Sequence, residues 1–136
     1  MRIKDYHIAI DEISTIDLEA DSIADSRRIL AELNEREMIL NELKRSIRKD
    51  IKSMKLDFLE RKHKINEDYA DGRSPGIVSK VRGKSKIKEL KKLEKQRNES
   101  LESYYDVKYI LDDLLIQIQD AKKPLNNYIK NRLFGV

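Results

Sequence analysis

The chain has no cysteine and no tryptophan, and only two phenylalanines, four glycines and two prolines among 136 residues. Without cysteine, disulfide frameworks, thiolate metal sites and cysteine nucleophiles are excluded. So few glycines, prolines and aromatics leave little for the turns and core of a compact α/β domain. Abundant Lys, Glu, Arg, Leu and Ile with few breakers is instead the profile of long helices. No apolar run approaches the roughly 18 residues that a membrane-spanning helix needs. The opening Met1-Arg2-Ile3-Lys4-Asp5-Tyr6-His7 also lacks the hydrophobic core of a secretory signal. These absences lead us to expect a cytoplasmic protein with no membrane partner.

What the chain does have is charge, at 40% of its residues. A mean hydropathy of −0.72 is compatible with disorder, but disordered tracts lack regular apolar spacing. Here the spacing is regular. Leu40, Leu43, Ile47, Ile51, Met54 and Phe58 follow one another at steps of 3, 4, 4, 3 and 4, which keeps them on one helical stripe. Leu33 and Ile65 extend the stripe at either end. Neither Gly nor Pro occurs from Met1 to Ala70. Ser14 or Thr15 is the expected cap of this helix, with Asp17 and Glu19 where a helix N-terminus favours negative charge.

Asp71-Gly72-Arg73-Ser74-Pro75-Gly76 is turn chemistry throughout. Ile77 to Arg82 is then expected as one or two helical turns ended by Gly83, with Ser85 capping the next helix. A second stripe runs through Leu90, Leu93, Leu101, Tyr104, Val107, Leu111, Leu114, Leu115 and Ile118. Pro124 is expected to kink or restart that helix, although Leu125, Ile129 and Leu133 keep to its stripe. Near the N-terminus, Ile3, Tyr6, Ile8, Ile10 and Ile13 fit a short helix, while His7 to Asp11 alternates like a strand.

Two apolar stripes joined by a short Gly/Pro connection fold back on each other. The expected fold is therefore all-α: a long antiparallel two-helix hairpin, coiled-coil-like, with short N- and C-terminal segments packed at its base. As a single domain it divides into an N-terminal segment over 1–15, a first long helix over 16–70, a tip loop over 71–85, and a second long helix over 86–134 kinked near Pro124. Turning at Pro75–Gly76 places Ile65 beside Ile87 and Leu33 beside Ile118. At 1.5 Å per residue such an arm is about 70 Å long. Ile39, Met38, Leu56, Tyr105 and Tyr109 lie off the stripes and are the candidate contacts for a partner.

Charge is unevenly spread. Residues 1–40 hold 5 Lys/Arg and 10 Asp/Glu, residues 41–97 hold 19 and 9, and residues 98–136 hold 5 and 6. The densest basic run contains Arg73, Lys80, Arg82, Lys84, Lys86, Lys88 and Lys91, followed by Lys92 and Lys95. Such a tip suits phosphate contacts with counterion release. No Phe, Tyr or Trp lies between Tyr69 and Tyr104, so nucleic-acid binding would be led by the backbone rather than by stacking.

Three motifs fall short of a chemistry. Gly83-Lys84-Ser85 resembles the end of a phosphate-binding loop, but Val78 stands where that motif needs its first glycine. Glu60-Arg61-Lys62-His63, with Glu67 a turn later, has Glu-x-x-His spacing without the second helix pair a di-iron site requires. Asp112 and Asp113, like any neighbours on a helix, diverge too far to serve one substrate with Asp106. Catalysis, a metal, a cofactor and a small-molecule substrate are not expected. The leading expectation is a non-enzymatic coiled-coil structural or interaction protein that joins a second copy or a partner helix. The alternative is a sequence-independent binder of RNA or DNA backbone at the basic tip. A further option, docking of one molecule's basic tip on another's acidic base, uses the same charge asymmetry.

Overall fold

Short polar side chains set where the helices begin. The Arg2 backbone N–H donates to Asp5 Oδ2 at 3.1 Å and the Asp5 N–H returns to the Arg2 carbonyl at 3.0 Å. That reciprocal arrangement satisfies N–H groups the first turn would otherwise leave bare. It opens α1, Ile3–Ser14. Ser22 does the same for α2, Ile23–Asp68: its Oγ accepts from the Asp25 N–H at 3.1 Å, and its carbonyl accepts from the Ser26 N–H at 3.0 Å. The third helix, α3, is Ile77–Phe134, and Gly135 follows it at φ +64°. That left-handed conformation closes a helix at little cost only for glycine.

The computed structural model describes residues 1–14, 20–70 and 77–135, with the backbone alone for 77–80. Among these residues the protein is all-α, with three helices and no strand. The expected tip turn over 71–76, including Pro75 and Gly76, lies outside the described residues.

Several sequence-based boundaries shift. The first long helix begins at Ile23 rather than at 16, and Ser14 belongs to the end of α1, its hydroxyl bonded to the Ile10 carbonyl. Thr15, the other expected cap, lies outside the described residues. The loop expected over 71–85 gives way to helix from Ile77, so Gly83 and Ser85 are helical. One glycine costs a helix only about 1 kcal/mol against alanine, which its lysine-rich surroundings absorb. At its other end α3 keeps the expected bound, running through Pro124, the expected place of a kink or restart, to Phe134. The proline removes one N–H bond, yet Leu125 beside it is buried, and that burial favours continuing the helix.

The chain divides into two compact units, one comprising Met1–Arg48 with Asp106–Val136, the other Lys49–Tyr105. In the first, α1 makes a third helix against α2 and α3. Tyr6, Ile10 and Ile13, at helical spacing, are its buried face, which settles the N-terminal ambiguity in favour of helix. The Tyr6 hydroxyl donates to Ser46 Oγ at 2.8 Å, while Ile13 lies with Leu33, Leu40, Leu114 and Ile118 around a cavity of about 120 Å³. Thus α1 runs antiparallel to α2. Ile29, Leu33, Leu40, Ile47, Val107 and Leu111 are 2% exposed or less. Each such side chain contributes about 1.5–3 kcal/mol by leaving water.

Cross-helix polar pairs fix the direction of α3 in this unit. Lys44 Nζ sits 2.6 Å from Asp112 Oδ1, and Glu37 receives both Lys122 and Gln119, the latter at 2.9 Å. Rising numbers on α2 meet falling numbers on α3, so the two are antiparallel. Leu33 and Ile118 do line the same cavity.

The second unit is a two-helix pair, also antiparallel. Lys55 lies 5.4 Å over the Tyr105 ring, and further along the Tyr69 hydroxyl is 3.1 Å from Ser85 Oγ. Its buried apolar residues among those described are Ile51, Phe58 and Leu101. Ile87, which the sequence placed beside Ile65, is 54% exposed, and Ile65 lies instead with Leu93. Leu93 lies six residues beyond Ile87, so this pairing differs from the expected register by nearly two helical turns of about 3.6 residues.

Candidate functional site

The candidate surfaces are those that the two-helix unit leaves open. Among the described residues this unit has no third helix, and the apolar residues at its seam have one partner helix each. Phe58 and Leu59 of α2 and Leu90 and Leu93 of α3 form the floor of a groove of about 630 Å³. Lys55, Lys62, Arg97 and Glu94 form its rim. Phe58 is buried, Leu90 and Leu93 are half-buried, and Leu59 is 50% exposed. The cavity beneath α1 is about 120 Å³, so the groove is the larger of the two and has room for side chains from another helix. Another depression, of about 340 Å³, has Ile65 and Leu93 as its apolar lining among Arg61, Lys64, Lys92 and other polar groups.

The basic residues named from sequence separate into distinct environments. Arg73 lies outside the described residues, and Lys80 is placed only as helical backbone. Arg82 is half-buried and occupied: its Nη2 donates to the Asp68 carbonyl at 2.9 Å and its guanidinium lies 5.6 Å over the Tyr69 ring. A cation on one of the last carbonyls of α2 satisfies an acceptor that the helix cannot satisfy itself. Arg82 therefore ties the start of α3 to the end of α2. Lys86 is half-buried, while Lys84, Lys88 and Lys91 are exposed.

Because α3 begins at Ile77, Lys84 joins Lys88, Lys91 and Lys95 on the helix instead of standing in a loop. Lys84, Lys88, Lys91 and Lys95 follow at steps of 4, 3 and 4, which gathers them on one exposed face. Arg82, Lys86 and Lys92 point elsewhere. Helical phasing of these lysines was available in the sequence, but Gly83 concealed it by suggesting a helix end.

The three weaker motifs gain no chemistry from the fold. Lys84 and Ser85 lie within α3, so no phosphate-cradling loop forms around them. Glu60, His63 and Glu67 are exposed on α2, and no metal-sized group of three or more His, Asp or Glu occurs among the described residues. Asp112 is engaged by Lys44, and Asp113 is exposed. No helix among the described residues is long and apolar enough to cross a membrane. The chain matches no family model, no curated protein and no solved structure.

The groove escaped the sequence analysis because Phe58, Leu90 and Leu93 already counted as core. Lys55 with Lys62, and Leu90 with Arg97, each seven apart, were the available signal.

Proposed function

We propose that the chain is a non-enzymatic helical interaction protein, in which α2 and α3 form one long antiparallel, coiled-coil-like hairpin that takes up a further helix. The observation that carries this is the groove on the two-helix unit, with an apolar floor of Phe58, Leu59, Leu90 and Leu93 and room for inserted side chains. Helix-in-groove recognition works on such a floor, through anchors spaced at helical intervals. Three residues that sequence alone set off the stripes are also well exposed: Met38 at 67%, Leu56 at 52% and Tyr109 at 61%.

The test is a photo-crosslinking side chain at position 59, used in the purified chain and in extract of cells that make it. A crosslink to a polypeptide, whether this chain or another, is the expected result. Crosslinks to nucleic acid, or none at all, would remove the proposal.

The lysine face supports a second function, contact with RNA or DNA backbone without sequence preference. Four cations on one helical face would meet phosphates directly, and engaging about four of them gives a salt slope near −3.6. Titration of a random duplex against salt measures that slope. Charge reversal at Lys84, Lys88 and Lys91 should weaken binding. No binding at low salt rules this function out.

A further inference from the structure

We propose that the occupant of the groove is a second copy of this chain, which presents the outer face of α3 from its three-helix unit. This deepens the interaction function above and depends on it.

The three-helix unit shows what an α2–α3 pair of this chain accepts. There the third helix is α1, held through Tyr6, Ile10 and Ile13, apolar residues at steps of 4 and 3. The two-helix unit has an apolar floor and, among the described residues, no third helix of its own. It needs a helix with two or three apolar side chains on one face and, because Lys55, Lys62 and Arg97 rim the groove against Glu94 alone, with carboxylates beside them.

That pattern is present on α3. Asp106, Tyr109, Asp113, Ile116 and Asp120 follow at steps of 3, 4, 3 and 4 on one side of the helix, and all five are exposed. Tyr109 is 61% and Ile116 59% exposed, which is costly surface for two large apolar side chains two turns apart. Spacing matches as well. Tyr109 and Ile116 are seven residues apart, as are Lys55 and Lys62 on one wall and Leu90 and Arg97 on the other. Seven residues of helix rise about 10.5 Å, so two apolar knobs fit the floor while three carboxylates meet three cations. Asp120 has only an exposed contact with Lys123, at 3.6 Å, to give up. The units carry opposite net charge: 13 Lys/Arg against 15 Asp/Glu in the three-helix unit, and 16 against 10 in the two-helix unit.

A charge swap tests this. One variant carries Lys55→Glu, Lys62→Glu and Arg97→Glu, the other Asp106→Lys, Asp113→Lys and Asp120→Lys. All six positions are at the surface, and helicity by circular dichroism confirms folding. Within either variant, groove and stripe have the same sign. In a mixture, each variant's groove faces a stripe of opposite sign. Sedimentation velocity at low salt is expected to show association for the wild type and at least about a hundredfold weaker association for each variant alone, since like charges in register cost several kcal/mol. Equimolar mixing should restore association, and added salt should weaken it. A monomeric wild type, association of either variant at wild-type strength, or no restoration on mixing would each overturn the proposal. A monomeric wild type whose position 59 still crosslinks to another polypeptide would defeat self-docking and leave the interaction function standing. A monomer that binds the random duplex, with binding lost in the groove variant, would defeat both.

Discussion

The two units use the same pair of helices and differ in what covers them. In one, α1 lies against α2 and α3, and twelve large apolar side chains are buried there among the described residues. In the other, no third helix covers the pair among the described residues, and three are buried. Burial of a stripe by two helices leaves each side chain one neighbour surface short. Stability therefore concentrates in the three-helix unit, whereas the seam of the two-helix unit stays partly open, with Leu90 and Leu93 only half-buried. The difference separates a part that holds the fold from a part with surface left to bind.

Charged substitutions should break this contrast most visibly. Ile47→Asp or Leu111→Asp places an unpaired carboxylate where each residue is 0% exposed. We expect a loss of about 4 kcal/mol or more, enough to unfold the three-helix unit. Leu59→Asp in the groove, where the side chain is half exposed, should change stability by less than about 1 kcal/mol. Chemical denaturation followed by circular dichroism measures both. Comparable losses at the two places would mean that the groove is core.

Pro124→Ala comes next. It restores an N–H bond within α3 and removes the ring's clash, so the three-helix unit should gain up to about 3 kcal/mol and melt several degrees higher. An unchanged melting temperature would show that α3 has already relaxed around the ring.

Gly83→Ala acts on the other unit. A Cβ there meets nothing within 4 Å, so the helix should gain about 0.5–1 kcal/mol. Slower amide exchange near the start of α3, with no change around Leu111, is the expected signature. An effect of similar size concerns Ser26, fully buried with no hydrogen-bond partner for its Oγ among the described residues. Ser26→Ala removes that unsatisfied oxygen and should stabilise the three-helix unit by about 1 kcal/mol, read by denaturant midpoint. Destabilisation would reveal a partner for the hydroxyl.

Periodicity made most of the core legible beforehand. Leu33, Leu40, Leu43, Ile47, Ile51, Phe58, Leu101, Val107, Leu111 and Ile118 were assigned to stripes by spacing alone, and all are buried. Ile65, Leu90 and Leu93 share the same spacing yet remain half-buried. Spacing tells which side of a helix is apolar, whereas burial also depends on how many elements cover that side. The α1 segment was ambiguous because Ile8, half exposed, sits out of phase with Tyr6, Ile10 and Ile13 and imitates strand alternation. The start of α2 was misplaced because Ser14 and Ser22 carry equivalent capping chemistry, and only the hydrogen bond to Asp25 distinguishes them. Of the candidate surfaces, the basic run was visible at once. Its division into a tie at Arg82 and a face through Lys84, Lys88 and Lys91 required the helix to be continuous through Gly83.

Helix α1 can also be described as a ligand. Twelve residues make too short a helix to persist alone in water, so α1 folds only as it binds, through Tyr6 to Ser46 and Ile10 and Ile13 to the seam. The eight residues between Ser14 and Ile23 keep it tethered. A short tether holds a ligand at an effective concentration on the order of millimolar, so even weak intrinsic affinity keeps the seam occupied. The chain thus carries its own competitor. A partner helix able to displace α1 must overcome that local concentration, and the two-helix unit imposes no such requirement.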